Sequence, residues 1–213
     1  MPIRLQIFKF SRLTKMLGLG VHVMQLGTAQ KKTYIAFLDA DDTWHPAKLA
    51  LQLGWMQAHP GVALTATKTE HLLIPEQVND IGSPLTADLV SPFKLLLRNN
   101  LPTRTVMVRR EVDFRFDPHK RYAEDYWLWL RIVFSGLPAY VLNAPLGFTH
   151  KSEFSSPGLS THLWKMWLGE IDTYRRLRRT GFIALPVTSM CIFLSLLKFF
   201  IRLSKRVLRP TDS

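Results

Sequence analysis

Cys191 is the one cysteine among 213 residues. A single thiol cannot make an internal disulfide framework or a cysteine-built zinc cluster, and this usage agrees with a reducing compartment. There is no Walker-type loop, and no Gly-x-Gly-x-x-Gly follows a strand pattern, so two glycine-built phosphate cradles are excluded. Residues 1–33 lack a continuous apolar core and a small-residue cleavage site, and so do not read as a secretory signal. Acidic residues are also scarce, 16 against 28 Lys and Arg, which leaves a net charge of +12. The excess is uneven: from Lys165 onward ten basic residues face three acidic ones, so +7 of the +12 belongs to the end of the chain. A basic tail of this kind fits nucleic acid, anionic lipid or a solvated face, and its neighbours decide between them.

What is present begins with a hydrophobic content of 47%, enough for one ordinary domain plus an appendage. The chain is organised around Tyr34-Ile-Ala-Phe-Leu-Asp-Ala-Asp-Asp-Thr-Trp44. Five apolar residues stop at three carboxylates, Asp39, Asp41 and Asp42. An apolar run with a sharp polar stop reads as a buried strand, and open α/β sheets bind ligands at the carboxyl ends of such strands. Carboxylates this close repel unless a cation neutralises them, and a hard divalent ion completed by substrate phosphates suits that chemistry. The same residues also suit a polar turn that caps the next helix, with Asp42 or Thr43 as N-cap and Pro46 in its first turn.

Along the rest of the chain, Phe8, Phe10, Leu13, Met16 and Leu17 with Arg4, Lys9, Arg12 and Lys15 allow a basic amphipathic helix. Helices are predicted over Lys48 to His59, closed by Pro60-Gly61, and over Phe93 to Arg98. Strands are predicted over Val62 to Thr67, Thr105 to Val108 and Ala139 to Leu142, with a loop over residues 74–92. A helix buried on one face begins near Glu124-Asp125 and carries Trp127, Leu128, Leu130, Arg131 and Val133. Two acids in a first turn complement the helix dipole, and a carboxylate there can equally accept a proton from a hydroxyl. His150 lies in a loop, either merely exposed or a metal ligand.

These two motifs, in this order, resemble those of the family-2 glycosyltransferases, nucleotide-sugar enzymes of the GT-A fold. The first motif with Lys48 is similar to that family's strand and Asp-x-Asp element. Glu124-Asp125-Tyr126-Trp127-Leu128-Trp129-Leu130-Arg131 is similar to its Glu-Asp-x-x-Leu-x-x-Arg helix, and Thr103 to Arg110 resembles the strand before it. The resemblance spans roughly residues 24–155. It implies a Rossmann-like mixed sheet flanked by helices. It further implies that Asp39, Asp41 and Asp42 meet the nucleotide sugar and that Asp41 and Asp39, with His150 nearby, hold Mg²⁺ or Mn²⁺. Asp125 would be the base of an inverting displacement, with Glu124 in support. The family normally has a whole βαβ unit before this strand. Here Met24-Gln25-Leu26-Gly27 stands where Arg-Asn-x-Gly is expected, and no first strand is legible in residues 1–33. The chain therefore reads as an N-terminally truncated copy. Its expected organisation is an atypical segment over 1–33, a GT-A-like domain over 34–155 and a basic, hydrophobic membrane-associating region over 156–213.

Gly181 to Leu197 is 17 residues without a charge. As a helix that is about 25 Å, the short end of a bilayer span. Basic residues flank both ends, so a peripheral or in-plane anchor over residues 181–208 explains both features. Nucleic acid is excluded as a partner because the cations are not interleaved with stacking aromatics. The expectation is a glycosyltransferase at the cytoplasmic membrane face, moving sugar from a nucleotide-diphosphate sugar to a lipid-linked or polysaccharide acceptor. The alternative is an inactive remnant or binding module that keeps half of the fold.

Overall fold

A computed structural model describes residues 5–10, 33–71, 85–150 and 163–207. Its elements in chain order are β1 (Leu5–Phe10), β2 (Tyr34–Asp39), β3 (Asp42–Trp44), α1 (Lys48–Ala58), β4 (Leu64–His71) and β5 (Ala87–Leu89). There follow α2 (Pro92–Leu97), a short 3₁₀ turn (Thr103–Thr105), β6 (Met107–Arg109), α3 (Glu124–Phe134), β7 (Ala139–Thr149), α4 (Leu163–Arg179) and α5 (Leu185–Val207).

The strands form one mixed sheet in the order β1-β2-β6-β4-β7-β3, with β5 also on β7. β1 is parallel to β2 and β4 is parallel to β7, while β6 runs antiparallel to both β2 and β4. β1, β2, β4 and β7 thus end on the same side of the sheet. β2 is buried on both faces. Tyr34 and Ala36 pack with Met56, Val62 and Met107 beneath α1, whereas Phe37 packs on the other face with α3. That is why the run from Tyr34 to Leu38 is apolar throughout rather than alternating.

Residues 5–10 correct one expectation. They form a strand in register with Tyr34 to Asp39 rather than the start of an amphipathic helix. The backbone groups of β2 on that side needed a partner, and an extended neighbour supplies one. The first strand that could not be read in the sequence is therefore present. Met24 to Gly27 lie outside the described residues. The predicted loop over 74–92 contains a short strand, β5, paired with Tyr140, Val141 and Leu142. Its residues up to 84 lie outside the described residues. β7 is also longer than expected, continuing to Thr149 because β3 pairs with its far end.

The three carbonyls that end α2 receive side-chain donors from three other helices. The Tyr126 hydroxyl bonds the oxygens of Leu95 and Leu96, Tyr174 reaches Leu96, and Lys198 reaches Leu97. Such end groups must be satisfied from outside the helix. α4 closes with Gly181 at φ 79°. Phe182 N–H bonds Leu177 O and Gly181 N–H bonds Arg178 O, the paired pattern that a left-handed glycine completes. α5 then begins, with Pro186 in its first turn, where a missing N–H costs nothing. The face of α5 turned to the domain carries buried Thr188, Cys191 and Ser195, whereas Leu185, Met190, Phe193, Leu197, Phe200 and Ile201 are exposed. This helix is inside out relative to a soluble surface helix.

Candidate active site at the carboxyl end of the sheet

β2 delivers Asp39 at its last residue, and a two-residue turn carries Asp41 before the chain re-enters the sheet as β3. Asp39 and Asp41 are partly exposed there, while Asp42 is buried. Asp42, expected at the donor site with the other two, has its carboxylate accepting from Arg104 at 3.2 Å, because β3 turns back to pair with β7 and carries Asp42 inward. Arg104 also donates to the Thr69 hydroxyl, at the end of β4, at 3.1 Å. The Trp44 indole donates to the Arg104 carbonyl at 2.6 Å, so the acidic turn is tied twice to this one residue.

Behind the turn, α1 places Lys48 wholly inside the protein. Its ammonium donates to Gln52 Oε1 at 2.8 Å and lies 4.3 Å from the Trp44 ring centroid. Burial pulls the Lys48 pKa down to about 7. Gln52 passes the connection on, donating to Thr65 O at 3.1 Å and Thr105 O at 3.0 Å.

The second motif reaches the same end of the sheet. Asp125 lies in the first turn of α3 and accepts from the Thr103 hydroxyl at 2.8 Å. Thr103 is adjacent in sequence to Arg104. One 3₁₀ turn therefore holds the base candidate with one residue and the acidic turn with the next. Glu124 begins α3 half-buried; burial lowers the Lys120 pKa, and the Glu124 charge opposes that in part. His150 follows β7, and its Nε2 shares a 2.8 Å hydrogen bond with the Thr43 hydroxyl. Among the described residues no three His, Cys, Asp or Glu side chains are gathered as a metal-holding group, so Asp39, Asp41 and His150 do not form a three-ligand cage. A groove lined by Pro60, Gly61, Arg109, Phe114 and Leu137 lies at the opposite end of β2, where Tyr34 pairs with Arg109, and carries none of these carboxylates.

Comparison with protein-family profiles gives no match. Comparison with curated sequences does. The chain is 28% identical over 156 residues to TuaG of Bacillus subtilis (strain 168), assigned as a teichuronic acid biosynthesis glycosyltransferase, covering 70% of this chain and 58% of TuaG. It is 29% identical over 186 residues to the amylovoran biosynthesis glycosyltransferase AmsE of Erwinia amylovora, covering 80% of this chain and 65% of AmsE. In sequence the chain is similar to these two glycosyltransferases.

Its fold agrees. The structure of S. aureus TarS 1–349 in complex with UDP-GlcNAc superposes with a TM-score of 0.51 over 76% of this chain and 47% of that one, at 12% identity. The chain thus spans about three fifths of the length of the relatives it matches in sequence. Within the candidate site and its surroundings, three features escaped the sequence. Thr103 and Arg104 were read with a strand, whereas they form the turn that joins the two motifs. Lys48 was legible only as part of a motif, not as a buried cation. Asp117, Lys120, Asp172 and Arg176 form an ion-pair chain beside α3. Of this chain only the Asp172–Arg176 spacing of four was visible locally.

Proposed function

We propose that the protein transfers a sugar from a nucleoside-diphosphate sugar to an acceptor hydroxyl with inversion. The observation that carries this reading is that Thr103 bonds Asp125 while its neighbour Arg104 bonds Asp42, which joins the base candidate to the acidic turn at one end of the sheet. In the reaction the acceptor oxygen bonds to the anomeric carbon as the bond from that carbon to the diphosphate breaks. Asp125 takes the acceptor proton, since a hydroxyl is a weak nucleophile until a positioned base removes it. The nucleoside diphosphate leaves.

Asp39 and Asp41 would hold Mg²⁺ or Mn²⁺. The fit lies in the donor set: two partly exposed carboxylates at a strand end suit a hard ion that takes its remaining oxygens from phosphate and water. When bound, the ion supplies charge neutralisation at the leaving diphosphate. Asp42, engaged by Arg104, supports the turn rather than the ion.

The UDP-GlcNAc bound to TarS supports a nucleoside-diphosphate donor, and the envelope polysaccharides named for TuaG and AmsE support a saccharide or lipid-linked acceptor. The outward apolar face of α5 supports work at a membrane surface. Its Leu185–Ser204 stretch has a mean hydropathy of 1.6, with 17% of its most apolar window buried. Burial of that face in lipid is favourable, and the exposed Arg202 on the same helix suits anionic headgroups. A cytoplasmic face is part of this reading and agrees with a lone buried thiol. The test is a thermal-shift screen of nucleotide sugars with and without Mn²⁺. A Mn²⁺-dependent rise that Asp41→Ala abolishes supports the reading, and no rise with any donor removes it.

A further inference from the structure

The segment that leads into Asp125 is held by α4. Ala123, immediately before α3, sits at φ 55° and ψ 33°, the one non-glycine residue at positive φ among the described residues. A residue with a Cβ disfavours that region, so surrounding structure must impose it. Its methyl group cannot cap the helix that follows. One stripe of α4 holds the residues that lead into it. A Cβ at Gly169 would stand 2.6 Å from Tyr122 Cβ and 2.7 Å from the Tyr122 carbonyl oxygen, so the two backbones touch only because residue 169 is glycine. Lys120, buried, donates to Gly169 O at 2.9 Å and to Asp172 Oδ2 at 2.8 Å. Arg176 donates to Asp172 Oδ2 at 2.7 Å and to Asp117 Oδ2 at 2.6 Å.

Residues 169, 172 and 176 follow the spacing of one helix face. The neighbouring stripe, Ile171, Tyr174 and Leu177, is buried in the core. α4 is therefore anchored without the ion pairs, and the two that Arg176 makes are partly exposed and contribute little to stability. What they do is fix the path of residues 117–123. We propose that α4 is the positioning element for Asp125, with Gly169, Lys120, Asp172, Arg176 and Asp117 setting the point from which the base faces the acceptor hydroxyl. This rests on the reading of Asp125 as the base. Thr103 holds the carboxylate from one side and the strap on α4 holds its backbone from the other. A reacting group displaced by 1 Å can lose about 100-fold in rate.

The test uses the full chain with Gly169→Ala and Lys120→Met, and with Asp172→Asn as the variant that keeps the glycine contact should Gly169→Ala fail to fold. Amides of residues 120–126 are expected to exchange hydrogen about tenfold faster, with the interior of α3 unchanged. The kcat should fall about 10- to 100-fold while the donor KM stays within about twofold, and Lys120→Arg should recover most of the loss. Unchanged exchange, or faster exchange with unchanged kcat, overturns the proposal while leaving the functional reading intact. A wild-type chain that binds no donor and transfers nothing removes the functional reading and this proposal with it.

Discussion

The ring of Phe37 meets the ring of Trp129 with centroids 5.6 Å apart and planes at 60°. Phe37 belongs to the strand that ends in the acidic turn, and Trp129 to the helix that begins with Glu124 and Asp125. Each buried aromatic therefore stands behind one half of the candidate site, and their edge-to-face contact joins the two elements that carry the halves. Trp129 is fully buried, so Trp129→Ala should destabilise the protein by about 3–5 kcal/mol in urea denaturation. A cost near zero would show that this contact does not hold the two motifs together.

Asp125→Asn should lower transfer by about 10²- to 10⁴-fold while leaving the donor-induced thermal shift intact, because it removes a proton acceptor and not a donor contact. Asp41→Ala should lose the Mn²⁺-dependent shift itself. If the two variants behave alike in the binding assay, the division of labour between turn and helix is wrong.

Thr103→Val removes the hydroxyl that donates to Asp125 but keeps the shape of the side chain. Transfer should fall about tenfold, one hydrogen bond to a charged group being worth roughly 1.5–3 kcal/mol and only part of it felt in the transition state. Full wild-type turnover in Thr103→Val would mean that Asp125 is placed without it.

Lys48 makes stability depend on pH. Its pKa is about 7 in the folded protein, because burial penalises the ammonium, against an ordinary 10.5. Between those values the unfolded chain binds a proton that the folded chain has released. Stability from this group therefore rises with pH across that window, by at most about 1.4 kcal/mol per pH unit. Denaturant midpoints for the wild type and Lys48→Met, measured from pH 6 to pH 10, should diverge by this slope. Parallel curves would mean that Lys48 stays charged in place beside Trp44.

Phe193 and Leu197 lie on the exposed face of α5. Phe193→Glu with Leu197→Glu should move the full chain out of the floated fraction with anionic vesicles, because a charge replaces each apolar group entering the lipid boundary. Raising salt should weaken the wild-type association in the same assay. A double variant that still floats would exclude this face as the seat.

Much of the candidate site could be read without coordinates because its chemistry is local. An apolar run that stops at three aspartates, and two acids at the start of a buried helix, each declare themselves within ten residues. So does the uncharged stretch after Gly181. Periodicity and composition also located α1, α2 and α3 to within a residue or two. The misses have a common cause. Whether residues 5–10 extend depends on the open side of β2, and whether Ala87 to Leu89 form a strand depends on β7, both distant in sequence.

What the order of residues determined alone is the inventory: a buried strand with carboxylates at its exit, a helix opening with a candidate base, and an apolar, cationic end. Only the tertiary structure decided which carboxylate faces in, since Asp42 and Asp41 are neighbours of the same type and differ in that Arg104 reaches one of them from another element. It likewise decided that α5 turns Thr188, Cys191 and Ser195 to the domain and leaves Phe193, Leu197 and Phe200 outward. Side-chain chemistry is written in a segment, but its exposure and its partners are set by the elements packed against it.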